Sequence, residues 1–194
     1  MSDPLRAPEY EENNRYTYAD YLEWEGPERY QLLNGEVFLM ASPSIVHQRL
    51  LVELTIQFGS WLKGKLCQLF IAPLDVRLFP KEDNSDNTVV QPDLLVVCDK
   101  EKLSKGPVNG PPDLVVEILS PSNSHKELFL KFQYYLEAGV REYWVIDPEG
   151  KKVQVHIYEN GHFISSSYKE NSNVPVTILP GLSVALESLW ETTK

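Results

Sequence analysis

Two acidic residues and a lysine carry the most legible chemistry of this chain. Asp93 heads the apolar run Leu94 to Cys98 in QPDLLVVCDK, Glu117 sits inside the run Leu114 to Leu119 in PPDLVVEILS, and Lys131 follows in HKELFLKFQYYLEAG. Both runs are too short for helices and rich in Val and Leu, so they are expected to be buried strands. A carboxylate flanked by Val115, Val116, Ile118 and Leu119 would cost several kcal/mol if it were ionised and alone. It needs a cation. If the two strands are neighbours, Asp93 lies beside Glu117, and carboxylates that close repel unless a divalent ion sits between them. Oxygen ligands without a Cys or His cluster favour Mg²⁺ or Mn²⁺ over zinc.

The spacing narrows the choice of acids and leaves open the choice of base. Asp113 forms a second Pro-Asp pair, but it is four residues from Glu117 in one strand, about 13 Å away, too far to share an ion. Asp93 is the better partner. Lys126 and Lys131 both lie on the helix expected after Glu117; five residues apart, they point about 140° away from each other, so both cannot face the acids. The stripe Leu128, Phe132, Tyr135 and Leu136 is expected to be the buried face, with Lys131 beside it. His47 and Asp75 are second candidates for metal binding or substrate positioning, with Gln133 and Glu36 behind them. A plain ion pair of Glu117 with Lys131 or Arg77 would also neutralise the carboxylate, and Asp75 with Arg77 reads equally as a strand-edge pair.

The elements that must hold these groups can be read in order. Residues 1–14 are polar and aperiodic and are expected to form a flexible arm ahead of one domain spanning 15–194. Thr17 can cap a short helix ending near Gly26. Asn34-Gly35 between two apolar runs is the strongest hairpin signal in the chain. Val46, Leu50, Leu54 and Phe58 recur at helical spacing from Ser44 to Leu62, and Gly64 ends that helix. The segment CQLFIAPLDVRLF reads as strand interrupted at Pro73. Ser122 or Ser124 caps the next helix, which Gly139 stops. EYWVID follows as a buried strand, KVQVHIYE as a strand with one wet face, and HFISSSYKE and VPVTIL are expected to continue the sheet before a closing helix from Val184 to Trp190. The core order is helix, strand, strand, strand, helix, strand, an α/β arrangement with an N-terminal hairpin and a C-terminal antiparallel extension.

Composition bounds the partners. The formal net charge is -10, which disfavours nonspecific binding to nucleic acid and requires any phosphate site to be focused. Cys67 and Cys98 are the only cysteines; both fall in apolar segments and read as buried thiols of a reducing cytoplasm. No run approaches the roughly 18 apolar residues of a membrane span, and the start lacks a hydrophobic targeting core, so a soluble cytoplasmic protein is expected.

Pro92-Asp93 followed by Glu117 in an αβββαβ order resembles the PD-(D/E)XK nuclease superfamily. Within it, EILSPS, Lys131, YYLEAGVREYWVIDP and the upstream SPSIVH resemble the Uma-type restriction-endonuclease family, a likeness running from about Thr17 onward. It implies a restriction-endonuclease-like αβββαβ core with a mixed central sheet and Mg²⁺-dependent hydrolysis of DNA. One departure stands out, because the superfamily places a lysine two residues after the acid and this chain has Leu119 there. The matching lysine of the family is Lys131 on the following helix. The resemblance thus implies Asp93 and Glu117 as metal ligands, with the Ile118 carbonyl as a further one, and Lys131 as the group that orients water or stabilises the scissile phosphate. A homodimer is expected, since two symmetric sites readily cut two strands. The alternative is a silent nuclease-fold scaffold or nucleic-acid-binding module in which Leu119 marks decay of the motif.

Overall fold

The computed structural model describes residues 14–121 and 124–193; apart from Asn14, the expected N-terminal arm lies outside them, as does Ser122. In chain order the elements are α1 (Tyr18–Tyr21), β1 (Tyr30–Leu33), β2 (Glu36–Leu39), α2 (Ile45–Leu62), β3 (Gln68–Ile71), β4 (Val76–Arg77), β5 (Val89–Val90), β6 (Leu94–Val97), β7 (Val108–Asn109), β8 (Leu114–Ile118), α3 (His125–Ala138), β9 (Glu142–Asp147), β10 (Lys152–Glu159), β11 (His162–Lys169), β12 (Asn173–Pro175), β13 (Ser183–Ala185) and α4 (Leu186–Glu191). Setting aside the short strands β4, β5 and β7, the expected αβββαβ core is α2, β3, β6, β8, α3 and β9.

A six-stranded sheet in the order β11-β10-β9-β8-β6-β3 forms the centre. It is mixed: β8 and β9 run parallel with α3 as their crossover, while β6 lies antiparallel to both β8 and β3. Side chains alternate along β8, so Leu114, Val116 and Ile118 join Leu50, Leu54 and Phe58 of α2 and Leu189 of α4 in one core. Val115 points the other way, into a second core with Tyr135 of α3 and with Leu33, Val76 and Val90 of the five-stranded sheet. That smaller sheet has the order β2-β1-β5-β4-β7. Glu117 shares the parity of Val115, so it faces α3.

The hairpin of β1 and β2 follows from its turn. Leu33 pairs with Glu36 across a two-residue loop, and Asn34 and Gly35 have φ of 52° and 77°, the left-handed pair that such a loop demands. Local caps also act where the sequence places them. Thr17 makes a capping box with Asp20, Ser44 and Ser124 accept from the backbones of His47 and Glu127, and Gly139 takes the left-handed φ of 81° that ends α3.

Several expectations require correction. CQLFIAPLDVRLF does not continue as one strand, because β3 and β4 belong to different sheets and the chain leaves the first for the second at Ala72-Pro73. VPVTIL does not extend the central sheet; only Asn173–Pro175 is strand, paired with Ser183–Ala185 in a two-stranded sheet. The closing helix starts at Leu186 because Val184 belongs to that pair. Cys67 and Cys98 are not free thiols but a disulfide. The register of β3 on β6, Gln68 opposite Val97, continues to place Cys67 opposite Cys98 with their Cα atoms 3.9 Å apart. The thiol argument for a reducing compartment therefore falls away. No helix among the described residues is long and apolar enough to cross a membrane.

The hairpin turn gives a direct test. A Cβ on Gly35 would stand 3.0 Å from the Tyr16 carbonyl oxygen and 3.1 Å from its nitrogen, at a φ that L-residues rarely adopt. Gly35→Ala is expected to lower unfolding stability by about 1–3 kcal/mol, read from urea denaturation; an unchanged midpoint would rule out this turn.

Candidate active site

Asp93 lies just ahead of β6. Its two oxygens are both held: the Ile118 backbone N–H donates to Oδ2 at 2.7 Å, and His47 Nε2 is 3.1 Å from Oδ1. The first contact fixes the Asp93 carboxylate beside the residue that follows Glu117. His47 comes from the first turn of α2 and is 7% exposed.

Glu117 reaches the same place from β8. Its Oε2 is 3.0 Å from Lys131 Nζ, and Tyr135 Oη donates to its Oε1 at 2.7 Å. Lys131 is 3% exposed and also lies 3.7 Å from Glu127 Oε1. Glu127 in turn accepts from Gln31 Nε2 of β1 at 2.8 Å. Buried charge is thus met by buried charge. The fully buried side of α3 is the line Glu127, Lys131 and Tyr135 at four-residue spacing, which corrects the expectation from Leu128, Phe132, Tyr135 and Leu136. Leu128 and Leu136 are only half-buried, because the helix turns its polar line toward Glu117.

Electrostatics follow from this packing. Burial raises the Glu117 carboxyl above its ordinary value, the Lys131 ammonium opposes the rise, and the Asp93 charge adds to it. Burial works against the Lys131 ammonium, but Glu117 and Glu127 outweigh it and raise the pKa. Tyr135 is raised well above its ordinary value by burial and by Glu117, so it stays a proton donor.

A pocket of about 150 Å³ opens over these groups, lined among others by Gln31, His47, Gln91, Asp93, Glu117 and Lys131. The structure brings Asp93, Glu117, Lys131 and His47 together. Asp75 is not in its wall; it accepts from Gln91 Nε2 at 2.8 Å and from Tyr21 Oη at 3.1 Å. It does not pair with Arg77, which binds Asp86 instead. Lys126 pairs with Glu36, which also meets Arg15 at 3.1 Å. Gln133 is exposed on the outer side of α3, and Asp113 is held by Arg141 and the Cys98 backbone N–H.

Sequence reasoning missed Glu127, Tyr135, Gln31 and Gln91. The signal for the first two was a polar line at i, i+4 and i+8 beside an apolar stripe. For Gln31 it was strand parity, since Gln31 shares the face of buried Leu33.

The donor set fits a hard divalent cation that keeps part of its water shell. Asp93 and Glu117 offer carboxylate oxygens, each with lone-pair capacity beyond its present hydrogen bond. Gln31 Oε1 is a buried acceptor that no donor among the described residues meets. No cluster of three or more His, Cys, Asp or Glu that could hold a metal exists among the described residues, so a closed cage of the zinc type is not offered. Mg²⁺ is ordinarily held by one or two carboxylates plus waters and phosphate oxygens.

Comparison with known proteins adds three findings. A family model described as "Uma2: Putative restriction endonuclease" matches residues 18–187. An uncharacterized protein of Synechocystis sp., slr1290, is 25% identical over 175 residues, which cover 88% of this chain and 89% of that one. A crystal structure of "a putative nuclease belonging to DUF820" from Anabaena variabilis superposes with a TM-score of 0.75 at 20% identity, over 92% of this chain and 99% of that one. The fold is restriction-endonuclease-like.

Lys131→Met tests the buried network. Glu117 has a raised folded-state pKa, so its favourable contribution is full below the ordinary value of 4.5 and is lost as pH rises through the raised value. Without the ammonium that opposes this loss, the variant's deficit should be small in acid and grow to about 3–5 kcal/mol near neutrality. Urea denaturation at about pH 5 and about pH 8 measures it; equal deficits at both would show that the lysine does not neutralise Glu117.

Proposed function

The chain belongs to the Uma2 restriction-endonuclease family, and from that premise we propose that it hydrolyses phosphodiester bonds in DNA with Mg²⁺ or Mn²⁺ held by Asp93 and Glu117. The observation that supports this reading is the convergence of Asp93, Glu117 and Lys131 on one pocket, from the residue before β6, from β8 and from α3. The Ile118 carbonyl is a further ligand candidate. When bound, the cation supplies a water of lowered pKa and offsets charge on the phosphate.

The chain's own residues divide the remaining work. An ammonium has three N–H donors, and among the described residues Lys131 directs them to Glu117 and, at longer range, Glu127. One donor remains for the attacking water or a nonbridging phosphate oxygen. Tyr135 and Lys131 together fix both oxygens of Glu117. His47 and the Ile118 N–H do the same for Asp93. With Nε2 donating to Asp93, His47 acts as a positioning residue. Gln31 holds Glu127, which in turn keeps Lys131 from swinging out.

Two symmetric sites readily cut two strands, so the functional unit in this reading is a homodimer. With a formal charge of -10, DNA must be drawn in by local charge rather than by the whole surface.

Purified protein with Mg²⁺ or Mn²⁺ is expected to cut plasmid or oligonucleotide DNA, and Asp93→Asn, Glu117→Gln and Lys131→Met should each reduce the rate about 10²-fold or more. Full activity in Glu117→Gln would remove the proposed site. A protein that binds neither ion at millimolar concentration and cuts nothing would be the silent scaffold.

A further inference from the structure

A second pocket, of about 140 Å³, lies between α1 and β1 and shares two lining residues, Arg29 and Gln91, with the acidic one. Its remaining wall includes the rings of Tyr21, Trp24 and Tyr30. Trp24 is the hub, with ring centroids 5.4 Å from Tyr21 and 5.5 Å from Tyr30 at interplanar angles of 57° and 78°. These are edge-on and tilted packing contacts, and Tyr16 makes a third at 5.5 Å and 78°, so neighbouring rings hold the Trp24 indole in place where it lines the pocket.

Gln91 gives this aromatic pocket a polar side. It is 6% exposed, and its Nε2 is committed to Asp75 Oδ1 at 2.8 Å and lies 3.3 Å from Tyr21 Oη. Because the amide nitrogen must face the Asp75 carboxylate, Oε1 is fixed as the free end. No donor among the described residues meets that oxygen. A buried carbonyl left so is costly, and the ligand that relieves it must bring an N–H or O–H. Glu25 and Glu28 also line the pocket, so it repels a phosphate and suits a neutral, flat group with an N–H edge. Arg29 is common to both linings and is the cation in the wall of the aromatic pocket.

We propose that this pocket receives the unstacked nucleobase next to the scissile phosphate, with Trp24 as its stacking platform and Gln91 Oε1 as acceptor for a base N–H. The inference rests on the nuclease reading of the acidic pocket and sharpens it. A base enters such a pocket only after leaving its own stack and pair. The substrate class is therefore DNA with an unpaired nucleotide beside the cut, such as a single strand, a frayed end or a branch, in preference to intact duplex.

The test uses the full chain in EDTA, where no cleavage occurs, and a labelled single-stranded oligonucleotide followed by fluorescence anisotropy. The single strand should bind about tenfold or more tightly than the same sequence as a blunt duplex, and Trp24→Ala should remove about tenfold of the single-strand affinity. An abasic site at the one sensitive position should weaken wild-type binding by a similar factor, yet add nothing to the loss in Trp24→Ala, since the two changes delete the same contact. If Trp24→Ala does not fold, Trp24→Leu keeps apolar bulk without a ring face and is expected to show the same pattern. Equal binding of wild type and variant, or independent and additive losses, would overturn the proposal. Absence of cleavage with Mg²⁺ or Mn²⁺ alongside the expected binding pattern would overturn the nuclease reading alone; cleavage that ignores strand pairing and Trp24 would overturn the base pocket alone.

Discussion

The rest of the structure is arranged around one buried carboxylate. Glu117 sits on β8, one of the two middle strands of the larger sheet, 7% exposed, where an unpaired charge would cost more than most single interactions in a fold contribute. Lys131 and Tyr135 meet it from α3, and to do so the helix must turn toward the sheet a side that carries Glu127, Lys131 and Tyr135 in place of its leucines. That orientation makes Lys131 itself a buried charge, which Glu127 helps to balance and which Gln31 of β1 secures. The smaller sheet is thereby tied to the larger one by a polar chain as well as by the core of Leu33, Val76 and Val115. Replacing such a network by hydrocarbon commonly stabilises a protein. Its presence is better explained by the pocket above it than by stability.

What the sequence revealed and what it concealed divide along a physical line. Features set by neighbours in the chain were legible: the Asn34-Gly35 turn, the Thr17 and Gly139 ends, the period of α2, and the short apolar strands that carry Glu117 and follow Asp93. Features set by pairing between distant segments were not. The disulfide depends on the register of β3 against β6, and no local pattern specifies that register. The departure at Pro73 looked like a break within one strand because a sequence pattern does not say which sheet a strand joins. The buried face of α3 was misjudged because hydrophobic periodicity assumes that burial is apolar. On this helix the strongest claim on the interior belongs to a lysine, and Leu128 and Leu136 yield to it.

The site was legible to a similar degree. A lone acid in a run of Val and Ile announces that something must neutralise it, so Glu117 and a cationic partner followed from residue types alone. Choosing Lys131 over Lys126 required the family likeness, and the structure now shows the two on different partners, Glu117 for one and Glu36 for the other. Gln31 and Gln91 escaped notice because an amide carries no charge to betray it. Each is recognisable only once its nitrogen is seen anchored to a carboxylate and its oxygen left without a donor.

In the proposed site the lysine stands on the helix after Glu117 instead of two residues beyond it on the strand, which has a geometric logic and a mechanical consequence. A side chain two residues beyond Glu117 shares its face of the sheet, and strand pairing continues to that point, since the Leu119 N–H donates to the Ile146 carbonyl at 2.8 Å. A lysine at 119 would thus emerge on the side where Lys131 arrives from above. Either origin can deliver an ammonium to the acids, but the two differ in what controls its position. On a strand it would be fixed by the same ladder that fixes Glu117. On α3 it depends on how that helix is seated, hence on its Ser124 cap, its Gly139 stop and the Gln31 to Glu127 contact. Carrying the ammonium on a helix rather than on the sheet makes the geometry of the pocket sensitive to whatever presses on α3 or on the hairpin that braces it, which a strand-borne lysine would largely ignore.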